Sequence, residues 1–270
     1  MNTLQAFILG AIQGLSEFLP ISSSGHLLIA EKIMGIPSEN GSLLTLGILL
    51  HIGTLAAVFV VYWKRIWDML RHPVKSELKW LIVATIPAVI AALVINFDEA
   101  FEGKFIVWSF FLTSIVLIVG DAVNAWRRKN RKVHKHMRWY HALSMGVMQA
   151  VAILPGLSRS GSTIAGGVTS GLSRRHAADF SFLMSIPAIL GSAVFDMKDV
   201  FLDGQGVTLQ ELGAKPVLVG MASAMAFGLI AIKAFLYLIR KIGMKWFAVY
   251  TALLGCFLLV NNLYLHWIVF

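Results

Sequence analysis

Five stretches of this chain, Leu43–Trp63, Trp80–Phe97, Phe105–Ala125, Pro216–Ile239 and Trp246–Leu265, are apolar over a long run, interrupted only by Asp121 and Lys233. Each approaches the ~20 residues that a helix needs to cross a bilayer. A sixth, Ala177–Phe195, is slightly shorter and carries Asp179 near its start. No other feature limits the fold as strongly, because a backbone in lipid must satisfy its own hydrogen bonds, as helices do. Composition agrees. Of 270 residues 57% are hydrophobic and 14% charged, whereas a soluble domain carries about 25% charged residues. A soluble domain and a disordered chain are excluded, and the lone Cys256 excludes a disulfide scaffold.

Two further apolar segments fit a single crossing poorly. Thr3–Gly35 and Trp139–Gly171 are each 33 residues long, and each is broken near its middle by a Pro followed by Ser and Gly. They also repeat one another. Gly10-Ala-Ile-Gln13, Leu19-Pro20 and Ser22-Ser-Ser-Gly25 are matched by Gly146-Val-Met-Gln149, Leu154-Pro155 and Ser158-Arg-Ser-Gly161. Ile86-Pro-Ala and Ile186-Pro-Ala fall at a different offset and read as coincidence.

Charge orients the chain. The net charge is +9, which in a soluble protein would point to nucleic acid. Here 17 of the 23 basic residues fall in segments 64–79, 127–138, 174–175 and 240–245, with only Asp68 and Glu77 as acids. Segments 31–42, 98–104 and 196–215 hold nine acids and four bases. The first set is expected in the cytoplasm and the second outside, so no nucleic-acid partner is expected. Trp139–Gly171 then has both ends in the cytoplasm, and Thr3–Gly35 dips in from the opposite face. The expected fold is all-α: a polytopic membrane protein with six transmembrane helices and two re-entrant helical hairpins in an inverted-topology repeat. It forms one integral membrane domain over 1–270, with repeats at about 1–126 and 139–270 joined by a basic cytoplasmic loop. No basic n-region precedes the first apolar segment, so no cleavable signal peptide is expected.

Both hairpin tips have the same design. A helix ends near Pro20 and Gly25-His26 opens the next; another ends near Pro155, and the run from Gly156 to Thr163 opens its successor. Helix N-termini present unpaired N–H groups and partial positive charge to an anion. Two such ends with Arg159 make a site for phosphate or diphosphate, because Arg offers a planar fork to such oxygens. Gln13 and Glu17 share a helix face, and Glu17 is costly at membrane depth. A carboxylate beside a phosphate site commonly holds a divalent cation, here Mg2+ or Ca2+. Blander readings exist for each residue. The serines cap helices, Glu17 and Arg159 pair with each other, His51 packs through a hydrogen bond, and Asp121 and Lys233 form a structural pair or snorkel.

At these tips the chain resembles the undecaprenyl pyrophosphate phosphatase family, also known as the bacitracin-resistance proteins. That family carries (E/Q)xxxE followed by a Pro, Ser-rich, Gly-His stretch, then PGxSRSxxT. This chain reads Gln13-Gly-Leu-Ser-Glu17, Phe-Leu-Pro20-Ile-Ser-Ser-Ser-Gly-His26, and Pro155-Gly-Leu-Ser-Arg-Ser-Gly-Ser-Thr163. Gln13 stands where many members have Glu. The resemblance implies removal of the terminal phosphate from undecaprenyl diphosphate, which recycles the lipid carrier of cell-wall synthesis and confers bacitracin resistance. It implies a multi-pass protein of the bacterial inner membrane with a site opening to the periplasmic face, and it leaves a homodimer open. Glu17, Ser23, His26 and Arg159 become the catalytic residues, with Glu17 at the metal. Gln13, Ser22, Ser24, Gly25, Ser158, Ser160, Gly161 and Thr163 bind substrate. His26 is expected to activate either Ser23 or a water. An isoprenoid-phosphate transporter or flippase is the rival, because inverted repeats with broken helices are transporter architecture. A membrane acid-phosphatase type is disfavoured, since Ser24-Gly-His26 lacks the preceding Pro and Ser173-Arg-Arg-His176 with Asp179 has the wrong spacing.

Overall fold

The computed structural model describes residues 1–36, 42–94, 105–130, 132–134, 136–201 and 212–265. The described chain is helical: α1 (Thr3–Phe18), α2 (Ser23–Ile33), α3 (Ser42–Arg71), α4 (Leu78–Val94), α5 (Ile106–Lys129), α6 (Trp139–Val151), α7 (Arg159–Ser170), α8 (Arg174–Phe201), α9 (Ala214–Lys241) and α10 (Lys245–Val260). Four of these, α3, α5, α8 and α9, are long and apolar enough to cross a membrane, and α10 becomes so with the π-helical turn Asn261–Leu265 that continues it, giving a fifth span over Lys245–Tyr264. The expected crossing Trp80–Phe97 appears as the 17-residue α4, and residues 95–97 lie outside the described residues. Ala177–Phe195 is the interior of a longer helix that opens at Arg174 and continues to Phe201. Of the acid-rich connections, 37–41, 98–104 and 202–211 also lie outside the described residues.

The two broken segments form helix pairs, and glycines set where each pair packs. α1 and α9 run side by side in the same direction. Ala6 and Gly10 meet Gly220, Gly14 meets Ala224 and Gly228, and Phe18 reaches Gly228. A Cβ on Gly10 would collide with the Gly220 carbonyl oxygen, and one on Gly14 with that of Ala224. Gly146, the repeat counterpart of Gly10, does the same against the Ala84 carbonyl of α4. Small residues let helix backbones approach where lipid supplies no hydrophobic drive between them. Gly228 lies midway along α9, so the end of α1 stops near the centre of that helix.

The basic segments gather at one end of the bundle. Arg174 at the start of α8 pairs with Asp121 of α5 at 2.7 Å, and Asp121 also accepts from the backbone N–H of Met244 at 3.1 Å. Of the two readings for Asp121 and Lys233, a structural pair or snorkelling, the pair does not form: Asp121 is taken by Arg174 and Lys233 is exposed. His176 meets Glu77 at 2.7 Å. The His134 N–H donates to the Gly171 carbonyl at 2.7 Å, and the His134 and His141 rings lie 5.3 Å apart. The α6–α7 pair therefore begins and ends at the basic end. α7 has 12 residues, about 18 Å at 1.5 Å per residue, well short of a ~30 Å hydrocarbon core.

Beneath the tips, Phe18 and Phe182 meet edge to face with centroids 5.4 Å apart, and Phe182 meets Phe235 at 5.8 Å. Between α4 and α8, Ile86, Ile186 and Pro187 line one apolar groove of about 450 Å3. The two Ile-Pro-Ala stretches, coincidental by offset, thus face each other in space.

Candidate active site

The first break is dictated by Pro20. Leu19, the residue before it, is extended at φ −77 and ψ 145, as the residue before a proline prefers, so α1 stops at Phe18. Ser22 holds φ 73, an uncommon conformation for a side-chain-bearing residue, and its hydroxyl accepts from the Gly25 N–H at 3.3 Å. The new helix therefore opens at Ser23 rather than at Gly25. At the second break α6 ends at Val151, four residues before Pro155. Gly156 turns the chain at φ 82, where a Cβ would sit 2.8 Å from that of Ser109. Ser158 then caps α7, its hydroxyl accepting from the Gly161 N–H at 3.0 Å.

The repeated Ser-x-x-Gly gives the same capped N-terminus twice, and the two tips touch. Ser23 and Arg159 are each the first residue of their helix, and both bind Glu17. The Ser23 hydroxyl donates to Glu17 Oε2 at 2.7 Å, while the Arg159 guanidinium pairs with Oε1. The Gln13 amide adds a hydrogen bond to Oε2 at 3.0 Å. The next residues of each helix reach across in both directions. Ser24 Oγ accepts from the Gly156 N–H at 3.2 Å, and Ser160 donates to the Leu19 carbonyl at 2.9 Å. Gly161 faces Pro20, where a Cβ would lie 3.2 Å from the proline Cβ. Gly25 is needed because a Cβ there would meet Phe110 Cζ at 2.6 Å.

Glu17 is only 6% exposed, so its charge is stable there only because it is paired and hydrogen-bonded. The bland pairing of Glu17 with Arg159 is thus real, and so is capping by Ser22 and Ser158. Thr163 sits behind the tip, donating to the Arg159 carbonyl at 2.9 Å and meeting Ser181 Oγ at 2.6 Å. It braces the turn that carries Arg159.

His26 is not placed as expected on Ser23. Its Nδ1 lies 2.7 Å from the Ser22 carbonyl oxygen, which can only accept, so Nδ1 carries the proton. In the neutral ring Nε2 then accepts from the Tyr250 hydroxyl at 2.7 Å, with the two rings stacked. The acceptor for the Ser23 proton is Glu17. Two residues outside the expected site reach it, His51, which the sequence assigns to packing, and Tyr250, which it does not single out. His51 Nε2 stands 3.8 Å from Glu17 Oε2, although its Nδ1 is held by the Gly47 carbonyl at 2.8 Å as a packing histidine would be. An ionisable residue within an apolar run was the signal available for it. Tyr250, one aromatic among many in α10, gave none.

The donors present define how a divalent cation could be held. Among the described residues no group of three or more His, Cys, Asp or Glu side chains converges on a metal position, so an all-protein cage is absent there. Gln13 Oε1, however, is a buried acceptor without a hydrogen-bond donor, beside the Glu17 carboxylate. One carboxylate and an amide oxygen suit a hard cation that takes its remaining ligands from water and a bound phosphate. A hydroxyl on a carboxylate, an arginine and two helix N-termini at one junction suit phosphoryl chemistry.

Known proteins are similar to this chain over nearly its whole length. A family profile described as "Bacitracin resistance protein BacA" matches residues 6–257. The undecaprenyl-diphosphatase of Carboxydothermus hydrogenoformans is 40% identical over 266 residues, covering 96% of this chain and 97% of the relative. Undecaprenyl-diphosphatase 4 of Bacillus thuringiensis subsp. konkukian is 40% identical over 264 residues, with 96% and 97% covered. The undecaprenyl-diphosphatase of Rhodopirellula baltica is 37% identical over 263 residues, with 96% and 98% covered. By this match over nearly its whole length, the chain belongs to the bacitracin resistance protein BacA family.

Proposed function

We propose that this protein is a membrane phosphatase that hydrolyses undecaprenyl diphosphate to undecaprenyl phosphate and phosphate, with Glu17, Ser23, His26 and Arg159 at the reaction centre. The observation that carries the assignment of residues is the shared contact of Ser23 and Arg159 with Glu17, one from each broken helix. Arg159 and the N–H groups of α2 and α7 bind the terminal phosphate. Ser23 Oγ attacks its phosphorus and Glu17 Oε2 takes the hydroxyl proton. The anhydride P–O bond breaks and undecaprenyl phosphate leaves with the bridging oxygen. Water then attacks the phosphoserine, phosphate departs, and Glu17 returns the proton to Ser23. The substrate brings more negative charge than Arg159 alone balances. A divalent cation held by Glu17 and Gln13 Oε1 would supply the remaining charge neutralisation.

In this proposal the protein lies in the bacterial inner membrane with six crossings, counting α4, and with α1–α2 and α6–α7 as re-entrant hairpins of an inverted repeat. The packing of α1 on α9 and of α6 on α4 through equivalent glycines supports it, as does the return of α6–α7 to the basic end. That end faces the cytoplasm by the distribution of Lys and Arg, and the site opens to the periplasm. The deciding experiment is phosphate release from an isoprenyl diphosphate by detergent-solubilised protein, with and without chelator and with Arg159→Ala. Release that needs both Arg159 and the cation is the expected result. No release under any condition would sink the phosphatase reading and favour a transporter, which needs a sealed membrane.

A further inference from the structure

The basic end of the bundle contains a second polar cavity, away from the Glu17–Arg159 junction. It encloses about 590 Å3 between the ends of α5 and α9 and the start of α8, and four of its lining residues are Arg128, Arg174, Arg175 and Arg240. No acidic side chain lines it. Arg174 is balanced by Asp121 and Arg175 by Asp179, at 2.7 and 2.8 Å. Among the described residues, Arg128 and Arg240 have no carboxylate partner. Ser173, at the N-terminus of α8, also lines the cavity and adds the partial positive charge of a helix start.

An independent feature points to a ligand. Asn124 lines the same cavity and is 1% exposed, yet neither Nδ2 nor Oδ1 has a hydrogen-bond partner. The Arg174 Nε–H is likewise unpaired. A buried amide left without partners is costly, and here the residue that carries it lines a space walled by cations. An oxyanion would accept from Asn124 Nδ2 and Arg174 Nε while meeting Arg128 and Arg240. Phosphate oxygens fit the arginine forks best. The cavity is also at the depth where helices leave the membrane: Trp126 and Trp246, on the flanking helices, are exposed, with Lys132 and Lys245 over their rings. Basic pockets between helix ends at that level suit phospholipid headgroups.

We propose that this arginine cavity is a second anion site, distinct from the reaction centre, that binds a phosphate oxyanion, supplied either by an anionic phospholipid headgroup or by free phosphate. Full-length protein and the double variant Arg128→Gln/Arg240→Gln, which alters two exposed side chains and should fold, are compared in mixed micelles. Native mass spectrometry measures retention of phosphatidylglycerol against phosphatidylcholine, and thermal unfolding measures stabilisation by inorganic phosphate. Wild-type protein should retain phosphatidylglycerol selectively, or be stabilised by inorganic phosphate, with at least about tenfold weaker binding in the variant. Selective lipid retention identifies a headgroup, and a phosphate response alone identifies the free ion. Asn124→Leu, which removes the buried donor and leaves all four arginines, should weaken the same ligand. If variants and wild type bind both probes equally, or the wild type neither prefers phosphatidylglycerol to phosphatidylcholine nor is stabilised by phosphate, the site does not exist.

Discussion

At the scale of single residues, the junction is organised around one carboxylate. Glu17 receives Ser23 from one helix and Arg159 from the other, so each side chain has its own predicted phenotype. Arg159→Ala should lower kcat about 100–1,000-fold, the usual cost of removing a preorganised donor to developing charge. Arg159→Lys should recover only part of this, because a lysine cannot grip a phosphate as a fork. Ser23→Ala should abolish turnover and the 32P-labelled phosphoserine formed on rapid quenching. Near-normal turnover in that variant would mean that water attacks directly. Tyr250→Phe removes only the hydroxyl that meets His26 Nε2 and should cost about two- to tenfold in kcat, the value of one neutral hydrogen bond. Glu17 and Arg159 stood out in the sequence because they are charges at the repeated Pro/Ser/Gly breaks, whereas Ser23 was singled out from its neighbouring serines only by the family resemblance. The true partner of His26 was not, since Tyr250 lies 224 residues away and its run of helix looks like any other.

At the scale of elements, the glycines determine where the broken helices pack. Gly10 of α1 and Gly146 of α6 each press on a backbone carbonyl of the neighbouring helix, Gly220 and Ala84 respectively. Backbone cannot yield as a flexible side chain can. Gly10→Leu and Gly146→Leu should therefore each destabilise the protein by about 1–3 kcal/mol, the cost of overpacking, read as a lowered Tm. Each should also lose more activity than the lost stability explains, because displacing α1 or α6 pulls the two tips apart and separates Glu17 from Arg159. Helix identities and most boundaries followed from hydrophobic run length. Two of the boundaries that moved did so because a cap outvoted hydropathy: Ser22 starts α2 ahead of Gly25, and the polar Arg174–His176 turn belongs to α8 because Ser173 caps it with a 3.2 Å bond from the His176 N–H. The ends at Trp63 and Phe195 moved outward to Arg71 and Phe201, because a helix continues into polar sequence beyond its apolar run.

At the scale of the whole molecule, the basic end is tied together by ion pairs between segments distant in sequence. Glu77 joins α3 to α8 through Arg65 and His176. Burial alone would raise its carboxyl, but the hydrogen bond to His176 and the charge and hydrogen bond of Arg65 outweigh that and hold it at about 2, below its ordinary 4.5. Its contribution to stability is complete above about pH 4.5 and is lost as pH falls toward 2. Tm should fall across that window in detergent, and Glu77→Gln should lower Tm at neutral pH while flattening the acid dependence. A wild-type Tm unchanged between pH 4.5 and 2 would contradict this. The sequence by itself determined the helices, the two breaks and the segregation of charge, because run length, proline and Lys/Arg content act locally along the chain. Only the tertiary structure decided that Arg174, and not Lys233, neutralises Asp121. It likewise brought His51 and Tyr250 to the junction and left Asn124 unpaired among arginines. Each of these depends on which helix faces which at a given depth, and that is set by close backbone packing between segments whose local sequences carry no record of one another.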